Sequence, residues 1–523
     1  MKSNFFKYLF IVFVIAIMIF AIFKIKSEEK NIEENQSQAS ESEKVTEITL
    51  AVASFDSMNP ILSTNKNIQD ISRLIYEPLL TLTSDYKIEL CLAKEWAKQN
   101  ETTYIITLKD NVRWSDGEKF LADDVKFTID KLKEVSSIYN SNVSHISTVE
   151  IVDDYTIKII LDQEVPFFEY NLTFPILSSQ FYINNEFNPN IVPTGTGMYK
   201  VSEIQSSYIT LVQNTNWWNK DQELTLTKIT VNLYSSMGEL YNSFKSGNID
   251  IIATQNSSVQ DYIGTIGYAS KELKGREHDF IAFNTQNYFL SKPEVRKAIS
   301  YSIDKSNIVS SVFSNRYVVS SFPLDYGSWI YQEQDASAGY NPEQAKQILT
   351  ENGWTFRNNS WQKTENYRTQ TIALNLLVKA SDSTRVAVAQ NIEQQLENQG
   401  IQVNIVQATD EQYNSSLTSK NYDMVLCSMN LSLSPDLTTF FGTNNLANYN
   451  TDEITTIMNE VKNTTDENVL KERYKRLAEI YKTDVPYLSL YNNKYIVAYS
   501  TGLVGDVAPT WYNIFNNISG WYK

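Results

Sequence analysis

The chain has 523 residues, more than one ordinary domain holds, and this length predicts two or three domains. Its 61 acidic and 45 basic residues give a net charge of −16, which disfavours nucleic-acid binding because a field of that sign repels phosphate. The two cysteines and two histidines form no pair at metal-ligand spacing, so we expect no metal site, no cofactor and no disulfide.

The amino terminus is predicted to be a membrane anchor followed by a tether. The uncharged, apolar run 8–23 lies between Lys7 and Lys24 and would span roughly 24 Å as a helix. Neither a small-residue cleavage site nor a lipoprotein cysteine follows it, which favours an uncleaved signal-anchor over 1–26, with a cleaved signal peptide as the alternative. Residues 27–44 are acidic and nearly without apolar side chains, so we expect a flexible tether. The rest of the chain would then lie on the outer face of the cytoplasmic membrane, extracellular or periplasmic.

Strand and helix patterns alternate along the remaining chain. The predicted strands cover 48–53, 103–108, 249–252, 401–406 and 422–427. The predicted helices cover 122–135, 238–245 and 383–398. This alternation predicts an α/β fold, and no repeat of 20 to 50 residues indicates a solenoid or a propeller.

One segment carries a specific resemblance. Residues 104–133, YIITLKDNVRWSDGEKFLADDVKFTIDKLK, join a strand, an aromatic residue, a turn and an acid-led helix. The segment resembles the signature of family 5 extracellular solute-binding proteins, the oligopeptide, dipeptide and nickel-complex receptors of ABC importers. Further stretches resemble the family in the same order, at 195–201, 244–252, 280–309, 400–406, 422–430 and 483–495.

The resemblance implies a two-lobed, periplasmic-binding-protein-like cleft fold of type II with an extra inserted domain. The implied division is a first lobe over 45–80, 195–270 and 491–523, an inserted domain over 81–194, and a second lobe over 271–490. Two chain crossings between the lobes would form a hinge. Cys91 and Cys427 would lie in different domains as free thiols.

Ligand contacts in such receptors come from loops that face the cleft, and this places eight candidates. They are Asp56, Ser57, Asn59, Trp329, Asn430, Leu433, Ser434 and Asp436. In the family's peptide receptors an aspartate pairs with the ammonium group of the peptide, and aligning Asp436 with the family's acidic residue leaves Leu433 at that aspartate's position. An apolar residue there would suit an N-blocked peptide, a longer peptide whose end protrudes, or a non-peptide solute.

The expected function is capture of an oligopeptide- or dipeptide-like solute by a monomeric, non-enzymatic receptor that delivers it to an ABC permease. The alternatives are a surface sensor for a signalling peptide, a receptor for a nickel or haem complex, and an enzyme with a carboxylate pair. The motifs that carry the resemblance are expected to serve the fold. Asp124 would serve a helix amino terminus, Val295 and Ile299 a core, and Arg296 an intramolecular ion pair.

Overall fold

The computed structural model describes residues 45–523 apart from 189, 256–258, 260–266, 333–336 and 338. The anchor predicted at 1–26 and the tether predicted at 27–44 lie outside the described residues. Among the residues that are described, no helix has both the length and the apolar character needed to cross a membrane.

The elements are numbered in chain order. The strands are β1 Glu47–Ala53, β2 Leu80–Leu82, β3 Ile88–Leu90, β4 Ala93–Asn100, β5 Thr103–Leu108, β6 Ile146–Asp153, β7 Thr156–Leu161, β8 Tyr199–Ile204, β9 Tyr208–Gln213, β10 Lys228–Tyr234, β11 Ile251–Thr254, β12 Tyr268–Phe283, β13 Tyr317–Val319, β14 Thr355–Arg357, β15 Ser360–Glu365, β16 Arg368–Thr371, β17 Ala373–Lys379, β18 Gln402–Ala408, β19 Met424–Asn430 and β20 Tyr487–Ser500. The helices are α1 Lys66–Ser72, α2 Ala122–Glu134, α3 Asn140–Val143, α4 Ser179–Ile183, α5 Met237–Lys245, α6 Pro293–Ser302, α7 Lys305–Phe313, α8 Pro342–Glu351, α9 Ser383–Asn398, α10 Asp410–Ser419, α11 Thr438–Phe441, α12 Asp452–Asn463 and α13 Glu467–Asp484. Single 3-10 turns cover Phe168–Leu172 and Ile518–Gly520.

Two four-stranded sheets form the amino-terminal part of the molecule. The amino-terminal sheet has the order β1-β10-β9-β8, in which β1 runs parallel to β10 and the other pairs are antiparallel. The inserted sheet has the order β4-β5-β7-β6 and is antiparallel throughout. Each sheet has its own hydrophobic core, so the two parts fold around separate centres. The predicted limits of the lobes and of the inserted domain stay a prediction.

The residues that carry the family resemblance hold α2 in place beside the inserted sheet. Trp114 is fully buried and donates its indole N–H to Asp124 Oδ2 at 3.1 Å. The backbone N–H of Leu121 donates to the same oxygen at 2.9 Å, and Ser179 donates to the other oxygen through its N–H and its hydroxyl. The predicted role of Asp124 at a helix amino terminus is therefore confirmed. Burial raises the pKa of this carboxyl.

The central sheet has the order β11-β20-β12-β19-β17-β18, with β13 beside β20. Neighbouring residues of β12 point to opposite faces. Ile281 and Phe283 enter one hydrophobic cluster, whereas Phe280 and Ala282 enter another, so both faces of the sheet are buried. The predicted α/β character is confirmed by these covered faces.

The long antiparallel strands β12 and β20 extend between two cores. Leu273 and Tyr495 pack with the core of the amino-terminal sheet. At the other end of the same strands, Ile281 and Leu488 pack in a core of the central sheet. The two strands therefore connect the amino-terminal part of the molecule to the carboxy-terminal part.

The pairing of β12 with β20 shifts register between Lys274 and His278, midway between those two cores. Gly275 lies inside the shift, and a Cβ atom at this residue would stand 2.0 Å from Asn493 Oδ1. No side chain larger than hydrogen fits there without movement of Asn493, and this close approach explains the glycine.

Arg296 corrects one prediction made from the sequence, because its guanidinium contacts carbonyl groups instead of a carboxylate. Its Nε donates to the carbonyl oxygens of Asp484 at 2.8 Å and Val485 at 3.1 Å. Its Nη1 donates to the carbonyl oxygen of Leu290 at 2.6 Å. Helix α13 ends at Asp484, where carbonyl groups lack partners within the helix, and a buried cation satisfies them. Val295 and Ile299 are fully buried in a core, as predicted.

Candidate functional site

Loops from distant parts of the chain meet around a small cavity between the inserted sheet and the central sheet. Tyr86 lies in the turn between β2 and β3, Trp329 in the loop after β13, and Leu433 in the loop after β19. Arg276 of β12 and Asp325 complete its charged side. The cavity measures about 20 Å³, which is room for about one water molecule.

Trp329 is held by hydrogen bonds to the turn of the β2–β3 hairpin and to the 3-10 turn that follows the last strands of the inserted sheet. Its indole N–H donates to the hydroxyl oxygen of Tyr170 at 2.9 Å, and its backbone N–H donates to the carbonyl oxygen of Asp85 at 2.9 Å. Tyr170 in turn donates to the carbonyl oxygen of Tyr86 at 2.9 Å. Tyr86 has φ +64°, a left-handed conformation that is uncommon for this residue type and turns the hairpin tip toward Trp329.

Arg276 fixes the loop that carries Leu433. It is buried, and its guanidinium donates to the carbonyl oxygens of Leu431 and Ser432 and pairs with Asp325. A planar guanidinium has five donors in a fixed fork, which suits one group holding two loops together. The loops after β13 and after β19 are therefore joined through a single side chain of β12.

Lys274 supplies a second cation at the same place. Its Nζ lies 3.7 Å from Asp325 Oδ1 and donates to the carbonyl oxygen of Leu324 at 3.1 Å. Burial lowers the pKa of Lys274 to about 8, although Asp325 opposes the shift. Burial also acts to raise the pKa of Asp325, but the neighbouring cations hold it below its ordinary value. Two cations facing one carboxylate leave this wall positive at neutral pH.

An apolar and aromatic cluster adjoins the cavity through Leu433 and Tyr86. Leu82, Tyr170 and Tyr512 form a small hydrophobic cluster against which Leu433 packs. The guanidinium carbon of Arg73 stands 3.8 Å from the centre of the Tyr512 ring, within the range of a cation–π contact. We call the cavity and the residues around it, Tyr86, Trp329 and Leu433, the junction. Aromatic rings, an aliphatic side chain and cations lie at it.

The model of the bacterial extracellular solute-binding proteins, family 5 (middle region), matches residues 87–452 of this chain. The chain belongs to this family. Family 5 is a family of binding proteins, so the comparison confirms the resemblance deduced from the sequence.

Curated relatives differ in the solutes that their names record. The oligopeptide-binding protein AppA of Bacillus subtilis is 24% identical over 462 residues, which cover 83% of this chain and 83% of AppA. Heme-binding protein A of Haemophilus influenzae is 24% identical over 476 residues, which cover 83% and 84%. The solved structure of a nickel ABC transporter from Bacillus halodurans aligns with a TM-score of 0.75 at 21% identity, covering 90% of this chain and 98% of that one. The periplasmic-binding-protein-like α/β fold is thereby confirmed.

Three of the residues predicted as ligand contacts of this family 5 protein meet at the cavity. Trp329, Leu433 and Ser434 all line it. Ser434 is buried, and its hydroxyl oxygen accepts the backbone N–H of Asp436 at 3.1 Å. The structure thus brings two separate predicted segments to one place, and their contact with a solute stays a prediction.

Asn430 and Asp436 lie outside this cavity. Asn430 is exposed at the end of β19. Asp436 accepts the backbone N–H of Thr438 at 2.9 Å at the start of α11 and lines a neighbouring cavity of about 250 Å³. Its carboxylate therefore has a local structural partner, and a role in binding stays a prediction.

The polar side chains of the predicted loop after β1 have partners within the loop and in helix α4. Asp56 accepts the backbone N–H groups of Ser57 and Thr64, each at 2.7 Å. Asn59 is fully buried and donates to the hydroxyl oxygen of Tyr182 at 2.9 Å. The structure does not bring this loop to the cavity at Trp329.

Sequence reasoning missed Tyr86, Tyr170, Arg276 and Asp325. Arg276 gave the clearest available signal, because it stands in a charged stretch of an otherwise buried strand. The two tyrosines gave none, since a tyrosine in a hairpin or a short turn is an ordinary surface residue until the distant tryptophan is placed.

Neither histidine contributes to the junction. His278 is fully buried between Asn492 and Ser489, whose oxygens lie 3.0 Å and 3.1 Å from its ring nitrogens, and burial lowers its pKa to about 3. His145 lies beside Asp162 at the surface. Across the described part of the chain, no group of three His, Cys, Asp or Glu residues is arranged to hold a metal ion. Cys91 and Cys427 are free thiols, as expected.

Proposed function

We propose that this family 5 protein is the solute-binding component of an ABC importer. It captures an oligopeptide-like solute at the junction of Tyr86, Trp329 and Leu433, and delivers it unchanged to a permease at the outer face of the cytoplasmic membrane. The segment 1–26 anchors it there. The observation that carries the proposal is the meeting of aromatic, aliphatic and charged side chains from three chain regions, on the two sides of the boundary between the inserted and central sheets.

The size of the cavity supports capture by opening and closing. Pockets that hold small molecules measure about 300 to 1,000 Å³, far more than the roughly 20 Å³ at Trp329. A solute therefore requires the two sides to separate and to close again around it. This arrangement corresponds to the closed member of an open and closed pair.

The polar contacts across the boundary include two ion pairs, Lys87 with Glu467 and Lys462 with Glu164, and the hydrogen bonds of Trp329 to Tyr170 and Asp85. Each of them is individually weak, which suits opening. Lys87 Nζ pairs with Glu467 Oε1 at 2.6 Å, and the side chains of both residues are more than 40% exposed. Exposed ion pairs of this kind contribute about 0 to 1 kcal/mol, and the Trp329 to Tyr170 hydrogen bond adds about 1 kcal/mol. The paired strands β12 and β20 keep the two sides connected while these contacts break.

The side chains at the junction favour a peptide over a highly charged solute. Trp329, Tyr86 and Leu433 offer surfaces for apolar side chains, and the hydroxyl groups of Ser432 and Ser434 suit hydrogen bonds to a peptide backbone. The likeness to AppA, whose name records oligopeptide binding, agrees with this choice.

The test is to purify the full-length chain in mild detergent and to identify co-purifying molecules by mass spectrometry. A random pool of synthetic peptides is then titrated by calorimetry. We expect intact peptides to be recovered, and we expect Trp329→Ala to weaken binding at least about 10-fold because a central aromatic contact is lost. Tyr326 is an exposed residue of the same loop, and Tyr326→Ala is the matched control, which should leave binding unchanged. Recovery of a metal or haem complex, or failure of every peptide in the pool to bind, would overturn the peptide proposal.

A further inference from the structure

A second cavity, of about 270 Å³, lies on the other side of Trp329, between the inserted sheet and helices α12 and α13. We call it the aromatic pocket. Trp329 belongs to the walls of both cavities, so the pocket adjoins the junction. Its aromatic walls are Trp96, Tyr104, Phe167, Tyr170 and Trp329.

The rings in this pocket are fixed by contacts with one another. Trp96 and Tyr104 stack with their centroids 6.3 Å apart, and Tyr104 lies against Phe168 at 4.8 Å. Phe167 lies edge-on to Tyr170 at 6.3 Å. Rings held in this way present fixed electron-rich faces, to which a cation is attracted.

The lysines around the pocket already have acidic partners. Lys87 pairs with Glu467. Lys98 Nζ lies 3.2 Å from one oxygen of Glu164, and Lys462 pairs with the other oxygen of the same carboxylate. None of these three lysines is an unpaired cation that would demand an anionic occupant.

Glu169 is different, because it lines the pocket without a counterion. Within the described residues no lysine, arginine or histidine lies within ion-pair distance of its carboxylate, and no other side chain hydrogen-bonds to it. Burial raises its pKa to about 7, against the opposing influence of Lys98. Glu169 is only partly exposed, and a carboxylate that loses part of its contact with water is costly unless a positive group pairs with it.

We infer that the aromatic pocket binds a positively charged group of the solute, an ammonium or a guanidinium, with Glu169 as its counterion and the surrounding rings as its walls. The inference rests on the proposed function and names the chemical class of solute that this part of the site selects. The pocket volume falls just below the range for whole ligands, which suits one long side chain such as that of lysine or arginine, while the rest of the peptide occupies the opened junction.

The affinity of the aromatic pocket for a cation should depend on pH, and the charge of Glu169 sets the direction. The ionisable groups that share the pocket are Lys87, Lys98, Tyr104, Tyr170, Lys462 and Glu467. Burial raises the pKa of both tyrosines, so they stay neutral near pH 7, and each of the three lysines has an acidic partner. Glu169 therefore changes charge near pH 7, and affinity for a cationic solute falls as the pH drops below that value.

The experiment compares matched peptides on the full-length protein. Peptides retained from a random pool are sequenced, and each retained lysine or arginine is replaced in synthesis by norleucine or citrulline. We expect calorimetry at pH 8 to show affinity at least about 10-fold higher for the cationic member, from charge-assisted and cation–π contacts together. In Glu169→Gln this preference should disappear, whereas it should persist in the control Glu453→Gln, a half-exposed carboxylate of α12 that does not line the pocket.

The outcomes separate the inference from the function on which it rests. Retained peptides without any preference for cationic side chains would overturn the aromatic pocket as a cation site and leave the proposed function standing. If no peptide binds, the proposed function fails, and the pocket is decided with N-acetyl-lysine amide against N-acetyl-norleucine amide as probes. Equal binding of the two probes, or equal binding to wild type and Glu169→Gln, would overturn the inference.

Discussion

Trp329 and Tyr170 are joined by a hydrogen bond of 2.9 Å from indole N–H to hydroxyl oxygen, and this bond crosses the boundary between the central and inserted sheets. Tyr170 is buried, and its own hydroxyl donates a hydrogen bond to the carbonyl oxygen of Tyr86. Tyr86 and Tyr170 lie 84 positions apart along the chain, and Tyr170 and Trp329 lie 159 positions apart, so the fold brings the three residues together.

We expect Tyr170→Phe to destabilise the protein by about 1 to 2 kcal/mol, because both the indole N–H and the Tyr86 carbonyl lose a partner at a largely dry boundary. Urea unfolding with tryptophan fluorescence measures this change. The exposed change Tyr326→Phe serves as control and should stay within about 0.5 kcal/mol of wild type. An equal effect of the two substitutions would show that the bond contributes nothing to stability.

Gly275 gives a prediction about the connection between the two halves of the molecule. We expect Gly275→Ala to destabilise the protein by about 1 to 3 kcal/mol or more, because its Cβ would meet Asn493 Oδ1 at 2.0 Å. A Cβ at Gly520 has no neighbour within 4 Å, so Gly520→Ala is the matched control and should be neutral or slightly stabilising. Thermal unfolding of both variants gives the comparison, and a neutral Gly275→Ala would mean that the register shift adapts freely.

Local elements were predictable from the sequence, and the site was predictable only in part. Helices α2, α5 and α9 begin and end within one residue of the predicted limits, because their caps and apolar spacing are local signals. Strand β11 starts two residues later than predicted. Asp250 explains the later start. Its N–H donates to the Thr49 carbonyl and its carboxylate accepts the Thr49 N–H, so Asp250 bonds to β1 just before β11 begins to pair with β20.

The missing parts of the site depend on distant partners. The sequence predicts Trp329 as a ligand contact because a tryptophan near a glycine in a loop is unusual. Tyr170 is recognisable as part of the site only once the fold places Trp329 beside it. Arg296 was misassigned for a related reason. A buried arginine can be satisfied by a carboxylate or by the carbonyl groups at a helix end, and the sequence alone does not say that α13 ends at this point.

His278 provides a pH-dependent prediction that can be checked on one residue. Its folded pKa of about 3 lies below the ordinary 6.5, so the unfolded chain takes up a proton first as the pH falls. The stability held above pH 6.5 is therefore lost between about pH 6.5 and 3, and this group alone removes about 3 kcal/mol at pH 4.

Two measurements test it. With only two histidines in the chain, NMR of the imidazole Hε1 protons gives two signals, and we expect that of His278 not to titrate between pH 8 and 4.5. His278→Gln should flatten the fall in unfolding free energy over the same range, while His145→Gln at the surface should not. Titration of the His278 signal near pH 6.5 would contradict the buried assignment.

The final prediction concerns Glu169 in the protein without solute. Its effect on stability runs with pH in the direction opposite to that of His278. Its folded pKa of about 7 lies above the ordinary 4.5, so the folded protein holds a proton that the unfolded chain releases, and stability is lost as the pH rises from 4.5 through 7. Glu169→Gln removes this loss, and its stabilising effect should grow from under about 1 kcal/mol at pH 5 to about 3 kcal/mol at pH 8. Glu164 is the control because Lys98 and Lys462 hold its pKa below the ordinary value despite partial burial, so Glu164→Gln should weaken the protein at pH 8. The unfolding free energy is measured in urea at pH 5 and pH 8. A Glu169→Gln effect that is independent of pH would mean that this carboxylate already has a counterion, and the argument for a cation in the aromatic pocket would fail.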